Sequence, residues 1–389
     1  MIGDAWSGEP RRQPTRARGE RPRRVLVVTG SRADFGLLSP VMRAIDAHPE
    51  LELRVVAAGS HLLPPAQTFR EVKAAFVVAD VVPMQAAGKR TRLDDAEAAG
   101  RGISRFARSF AHLEPDWVLV LGDRIEAFAG ASAASIAGIG LAHVHGGDRA
   151  EGVADEAMRH AITKLAHLHL AATPASAERI TRMGERPEHV HVVGSPAIDD
   201  LGAIEPLDDE TFVELGSPTV CFLMHPIGRT LEHEEHAAAG ALEALQAERV
   251  LAIAPNHDPG RTGIERAIKS AGVRCVEHLA RPRFVALLKR LATTGGLIVG
   301  NSSAALIEAA ALRLPAVDIG SRQAGRERPP SVVHADEHDV ADAIVRARAI
   351  DRAALTHPYS DAGAGTRIAA LLASVDPHDA GLIRKRNAY

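Results

Sequence analysis

Long apolar runs are missing from this chain: no stretch approaches the roughly 18 consecutive apolar residues of a membrane-spanning helix, so no membrane contact is expected. Cysteine is scarce too. Cys221 and Cys275 stand far apart, each in an apolar run of strand character, which predicts buried thiols rather than a disulfide or zinc site, and a reducing, cytoplasmic setting. An excess of one charge sign is also absent; a net charge of -3 leaves no electrostatic footprint for nucleic acid or an anionic membrane. The first 24 residues carry seven arginines but no apolar signal-peptide core, so export is not expected. Residues 1–23, broken by Pro and Gly with little to bury, read as a disordered head, with a nucleic-acid arm as the other reading.

What is present is a globular balance, 46% hydrophobic and 24% charged, over 389 residues, more than the roughly 250 to 300 that one core holds. Two domains follow. Short apolar runs alternate with longer amphipathic ones, the signature of parallel strands joined by crossover helices. One series of strands is expected at 25–29, 51–59, 117–122, 141–145, 168–173 and 189–194, and a second at 219–225, 249–255, 273–279, 296–300 and 315–320. An acidic, Pro-punctuated stretch from Ser195 to Pro218 separates them. The fold class is therefore α/β, with two Rossmann-like doubly wound domains around a central cleft, at residues 24–200 and 201–375, and a tail at 376–389. Ligands of such folds bind beyond the carboxyl ends of the strands.

Chemistry should therefore sit just after strands. TGSRADFG (29–36) is a small-residue turn opening a helix near Phe35; its free N–H groups and Arg32 suit a phosphate, while Asp34 caps the helix. It is not the G-x-G-x-x-G dinucleotide fingerprint, so no nicotinamide is expected. Strand WVLVLG runs into DRIEAFAG, setting Asp123, Arg124 and Glu126 at the rim of a buried strand, a costly place for charges that serve nothing.

The densest cluster is HVHGGDRAEGVADEAMRHAITKLAHLH (143–169). Strand alternation puts His143 and His145 on one face, with Gly146 and Gly147 allowing close backbone approach. The helix from about Asp155 should bury Met158, Ala161, Ile162 and Leu165 and pair Asp155 with Arg159 and Glu156 with His160. Glu156, Arg159 and His160 next to a strand-end His pair read as an acid/base set. His-x-His with Asp148 also has metal-ligand character, which keeps a metal site as a rival. In the second half, FLMHP leaves His225 directly after a strand, and the next strand ends in PNHDPG, where Asn256 and Asp258 form a polar turn. GLIVGNSSAALIEA breaks at Gly300; Asn301, Ser302 and Ser303 offer a helix-start cradle for a diphosphate, and Glu308 further along could accept both hydroxyls of a ribose. Arg322, Gln323, Arg326 and Arg328 lie on a glycine-broken loop able to close over the same anion.

TGSRADFG, VLGDRIE, HVHGGD, DEAMRHAITKLAHLH, MHP, PNHDPG and GNSSAALIEA with DIGSRQAGR occur in one order over residues 24–375, and in this the chain resembles the hydrolysing UDP-N-acetylglucosamine 2-epimerases, which open sialic and related nonulosonic acid pathways. The resemblance implies a fold of the glycosyltransferase B type, a homodimer or homotetramer, and no cofactor or metal. It implies loss of UDP from a UDP-sugar by elimination to a glycal, then hydration to free N-acetylmannosamine. Catalytic roles would fall to Asp123, Glu156 and His225, assisted by His145, Asp148 and Arg159, and nucleotide contacts to Arg32, Ser302, Ser303, Glu308 and Arg322. Asp148, where many members carry Glu, and the segment at 84–95 depart from the family pattern, which leaves a 2,4-diacetamido sugar open as substrate. The other readings are a glycosyltransferase of the same fold, a non-catalytic sugar-nucleotide sensor and a metallohydrolase.

Overall fold

Continuous apolar runs become buried parallel strands here because helices cover both faces of each sheet. The computed structural model describes residues 21–64, 68–88, 91–149, 155–256 and 258–388. The first sheet holds seven strands: β1 Arg23–Thr29, β2 Leu51–Ala58, β3 Val78–Val82, β4 Trp117–Leu121, β5 Gly140–Val144, β6 Leu168–Ala171 and β7 Val190–Val192. The second holds six: β8 Val220–Leu223, β9 Val250–Ile253, β10 Arg274–Val276, β11 Leu297–Gly300, β12 Ala316–Ile319 and β13 Val332–Ala335. Their orders, β3-β2-β1-β4-β5-β6-β7 and β10-β9-β8-β11-β12-β13, follow one plan. Each reverses direction beside its first strand, and at that switch point the carboxyl ends of β1 and β4, and of β8 and β11, open a crevice.

Two strands were not expected from the sequence, β3 and β13. Both are sheet edges whose residues are mostly half-exposed, so neither carries the unbroken apolar run that marks a central strand. Edge position also corrects the expectation for Cys275: it lies on β10 and is exposed, whereas Cys221 on β8 is buried, and both are free thiols. The first helix starts at Arg32 rather than near Phe35. Helix Asp155–Leu165 fully buries Ile162, with Arg159 and Thr163 beside it, while Met158, Ala161 and Leu165 stay partly exposed.

Residues 1–20 of the head lie outside the described residues; at its end Arg21 makes two bonds to Asp116, at 2.8 and 3.0 Å, and β1 begins at Arg23. The far end of the chain differs more. Helix Ala364–Ser374, assigned to the second domain by sequence, packs Ile368, Ala369 and Leu372 into the first sheet's core with Val25 and Trp117. The indole Nε1 of Trp117 donates to the Leu372 carbonyl at 3.1 Å, and Leu382 of the expected tail is buried in the same cluster. Asp199 fastens this return, accepting the N–H groups of Gly363, Ala364 and Gly365 at 2.7 to 2.9 Å. Because Leu372 is fully buried, Leu372→Ala should lower the unfolding free energy by about 2 to 5 kcal/mol in a denaturant titration. A loss below about 1 kcal/mol would mean that this helix is not part of that core.

Candidate active site

After β1, Ser31 and Asp34 form a reciprocal capping box at the start of helix Arg32–Asp46. The Asp34 carboxylate accepts Gly30 N–H, Ser31 N–H and the Thr29 hydroxyl, each at 2.9 Å. Burial raises its pKa, against the pull of those bonds. Asp34 lines the cleft, yet its oxygens are spent on shaping the turn that presents Arg32. The Arg32 guanidinium lies 2.6 Å from Nδ1 of His278, whose Nε2 lies 3.1 Å from Glu71.

At the end of β4 the Asp123 carboxylate takes the guanidinium of Arg159, which also donates to the His145 carbonyl at 3.0 Å. Only 3% of Arg159 is exposed, so this ion pair sits in a low dielectric. The sequence paired Arg159 with Asp155; the Asp155 side chain lies outside the described residues, and Arg159 is committed to Asp123. Glu126 is fully buried behind the cleft, wedged under Gly30 and Gly59, where an added Cβ would come within 2.5 and 2.2 Å of it. Burial raises its pKa although Arg124 stands 3.5 Å away. Arg124 also faces Asp258 of the other half at 3.6 Å.

The strand alternation expected for His143 and His145 ends at Val144, because His145 adopts a left-handed φ of 60°. The two rings serve different partners. His143 reaches the Gly122 carbonyl through Nε2 at 2.8 Å, whereas His145 bridges Asp148 at 2.8 Å and Ser195 at 3.0 Å. Burial would raise the Asp148 carboxyl, but His145 beside it, with Arg326 and Ser176, holds it at about 2. Among the described residues no group of three His, Cys, Asp or Glu is placed to hold a metal ion.

In the second half, Asn301 staples the end of β8 to that of β11. Its Oδ1 accepts His225 N–H at 2.7 Å and its Nδ2 donates to the His225 carbonyl at 2.8 Å. This needs close approach of the strands: Gly300 has a φ of 146°, and a Cβ there would fall 2.1 Å from the Leu223 carbonyl oxygen. Nδ1 of His225 accepts Asn256 N–H at 3.2 Å, which leaves the neutral ring its hydrogen on Nε2. Burial, then the charges of Arg322, Arg32 and Arg124, hold this imidazole well below its ordinary pKa.

A cleft of about 500 Å³ between the halves is lined by Arg32, Asp34, Asp123, Arg124, His145, Arg159, His225, Asn256, Ser302, Ser303, Arg322 and Arg326. Asp148, Glu156, Asp258, Gly300, Asn301 and Glu308 do not line it. Glu156 bonds His160 at 3.1 Å and faces Arg149 at 3.9 Å. Glu308 is held by Arg281 at 3.0 Å, and Arg281 also grips Asp200, so the carboxylate expected to take a ribose serves an ion-pair cluster. The expected helix start at Ser303 is one turn, Ser303–Leu306, broken at Ile307. Residues 150–154, His257, and Lys89 with Arg90 of the 84–95 segment lie outside the described residues.

Sequence reasoning missed Ser60, Thr68, Glu71, Arg261, Glu277 and His278, which also line the cleft. Ser60, Glu277 and His278 follow β2 and β10, so the same strand-end rule would have found them. Six lining arginines (32, 124, 159, 261, 322, 326) face four carboxylates (34, 71, 123, 277), a surplus of two positive charges. With His225 neutral, that surplus favours an anionic ligand.

Two Rossmann-like halves with switch-point residues meeting in a cationic cleft define an α/β enzyme architecture of the glycosyltransferase B type. Residues 43–373 match the UDP-N-acetylglucosamine 2-epimerase family, and the chain belongs to it. Among its relatives, the UDP-N,N'-diacetylbacillosamine 2-epimerase (hydrolyzing) of Legionella pneumophila is 33% identical, over 94% of this chain and all of that one. The UDP-N-acetylglucosamine 2-epimerase of Neisseria meningitidis serogroup B is 30% identical, over 84% of this chain and 87% of its own. The fold matches S. aureus MnaA, solved with UDP, at a TM-score of 0.75, 20% identity and coverage of 90% and 96%. A Neisseria meningitidis UDP-GlcNAc 2-epimerase bound to UDP-GlcNAc gives 0.74, 19%, 90% and 99%. The chain is thus an enzyme of the UDP-sugar 2-epimerase type. No helix among its described residues is long and apolar enough to cross a membrane.

Buried neutral imidazoles make stability pH-dependent. His167, away from the cleft, is held by burial at about 4 against an ordinary 6.5. The stability it supplies is complete above 6.5 and is lost as the pH falls toward about 4. Asp34 and Glu126, raised by burial, act in the opposite sense, so the test is a difference between proteins. Between pH 6 and 5, His167→Gln should lose about 1 kcal/mol per pH unit of the wild-type slope of unfolding free energy. Identical slopes would show that His167 is not held neutral.

Proposed function

We propose that this enzyme is a hydrolysing UDP-N-acetylhexosamine 2-epimerase, acting on UDP-N-acetylglucosamine or a 2,4-diacetamido relative. The observation that carries the proposal is the position of Asp123, fixed by the buried Arg159, in one cleft with His225, Ser302 and Arg322 of the other half. The diphosphate lies against Ser302, Ser303 and Arg322, with Arg32 reaching from the first half and Nε2–H of His225 donating to an oxygen.

Asp123 removes the proton at carbon 2 of the sugar. The electron pair of that C–H bond forms the C1–C2 double bond, the C1–O bond breaks, and UDP leaves with its bonding pair. Arg32 and Arg322 beside the diphosphate stabilise the charge that the leaving oxygen acquires. Water then adds its oxygen to carbon 1, and a proton returns to carbon 2 on the opposite face, giving a free mannosamine-type sugar plus UDP for one water consumed. His145, anchored by Asp148 and Ser195, stands on the sugar side as a proton carrier.

Membership of the epimerase family favours this over a glycosyltransferase of the same fold, and the likeness to the Legionella diacetylbacillosamine 2-epimerase supports the diacetamido sugar as a substrate to assay. In deuterated water, proton NMR should record UDP release from one of the two UDP-sugars, with deuterium entering carbon 2 of the product. UDP release with protium retained there would mean simple hydrolysis. Asp123→Asn should lower kcat by at least about a hundredfold while UDP affinity changes little. Glu156→Gln, set back from the cleft, should have a smaller effect; the reverse ranking would move the base to Glu156.

A further inference from the structure

Residues 385–388 rest beside the end of the helix that carries Arg159. The ammonium of Lys385 donates to the carbonyls of Lys164 at 2.7 Å, Ala166 at 2.6 Å and Thr163 at 3.2 Å. These belong to the final turn of helix Asp155–Leu165 and the residue that follows it, where carbonyls lack partners within the helix and a cation is favoured. The ammonium also lies 2.6 Å from Glu185, a buried carboxylate shared with His169 at 3.0 Å and Lys164 at 2.5 Å. Two further bonds hold the tail in place: Lys164 donates to the Asn387 side chain at 2.8 Å, and Ala388 N–H donates to the Gly184 carbonyl at 2.8 Å.

From that helix end a short chain of contacts leads to the cleft. Thr163, whose carbonyl accepts from Lys385, donates its hydroxyl to the Arg159 carbonyl at 3.1 Å and lies 3.3 Å from Nδ1 of His143. Arg159 holds the Asp123 carboxylate, and His143 holds the carbonyl of Gly122 at 2.8 Å, the residue just before Asp123. Both routes from Thr163 therefore end on the same turn.

We propose that Lys385 is a positioning residue: the tail acts as a strut that fixes the carboxyl end of helix Asp155–Leu165 and, through Thr163, sets Arg159 and the Gly122–Asp123 turn. The strut stands one step behind the chemistry, and its effect on turnover rests on the role of Asp123 under Proposed function. A residue that fixes a base but touches no ligand should change kcat and leave UDP binding alone.

The test is Lys385→Met in the full chain, which keeps the stem and removes the donors. Hydrogen exchange of amides 159–166 should quicken at least tenfold while helix Ile125–Ile136 is unchanged, and kcat for UDP release should fall about tenfold with the calorimetric Kd of UDP within twofold. Unchanged exchange at 159–166 overturns the strut, and so does faster exchange with normal kcat. A parallel loss of UDP affinity and global stability overturns it as well, because the tail would then only hold the fold. Thr163→Val, which removes the hydroxyl at nearly constant volume, is a second test should Lys385→Met not fold; its kcat should fall likewise, and normal turnover there overturns the relay. Exchange does not depend on the reaction. Wild-type protein that turned over no UDP-sugar would defeat the proposed function, while the exchange pattern would still judge the strut.

Discussion

A guanidinium with 3% exposure must have its charge met, and the pairing of Arg159 with Asp123 meets it. That single requirement ties together three separate stretches of chain. Helix Asp155–Leu165 must lie against the end of β4, the turn after β5 must offer its His145 carbonyl to the second nitrogen, and Asp123 must face inward rather than into solvent. A carboxylate fixed in this way is held in one orientation at the cleft before any ligand arrives. The same pairing explains why charged residues are tolerated at the rim of a buried parallel strand.

The second half answers with a neutral device. Asn301 uses both ends of its amide on the backbone of His225, so the carboxyl ends of β8 and β11 are tied together, and Gly300 permits the approach. The Asn256 amide then fixes the ring's tautomer. A neutral imidazole among arginines donates one hydrogen bond without adding to cation repulsion, whereas a protonated one would meet Arg322, Arg32 and Arg124 at close quarters.

Legibility in the sequence followed burial. Central strands such as β4, β5, β8 and β11 are buried along their length and carry unbroken apolar runs, so they and the residues just after them could be read directly. Edges were read unevenly: β7 and β10 were expected, the half-exposed β3 and β13 were not, and Cys275 on β10 faces out. Residue type at a strand end could be read, but its partner could not. Glu308 has the flanks of a buried carboxylate and is one, yet only the fold brings Arg281 to it. Asn301 and Ser302 are adjacent capping residues; one staples a strand and the other lines the cleft, a difference set by β8 lying alongside. The return of helix Ala364–Ser374 to the first sheet has no local signal at all, because an amphipathic helix does not specify which of two similar sheets it covers.

Partners also sort the arginines of the cleft. Arg261 is held by Glu265 and Glu277, Arg159 by Asp123, and Arg124 lies between Glu126 and Asp258; each would have to leave a carboxylate to meet an incoming anion. Arg32 instead rests on the imidazole of His278, and Arg326 on the Arg149 carbonyl, both uncharged acceptors. Exchanging an uncharged acceptor for a phosphate oxygen gains a charge-assisted bond without breaking an ion pair. Arg32 and Arg326, which can turn to an anion in this way, come from opposite halves, so an anion held by both would draw the two sheets together.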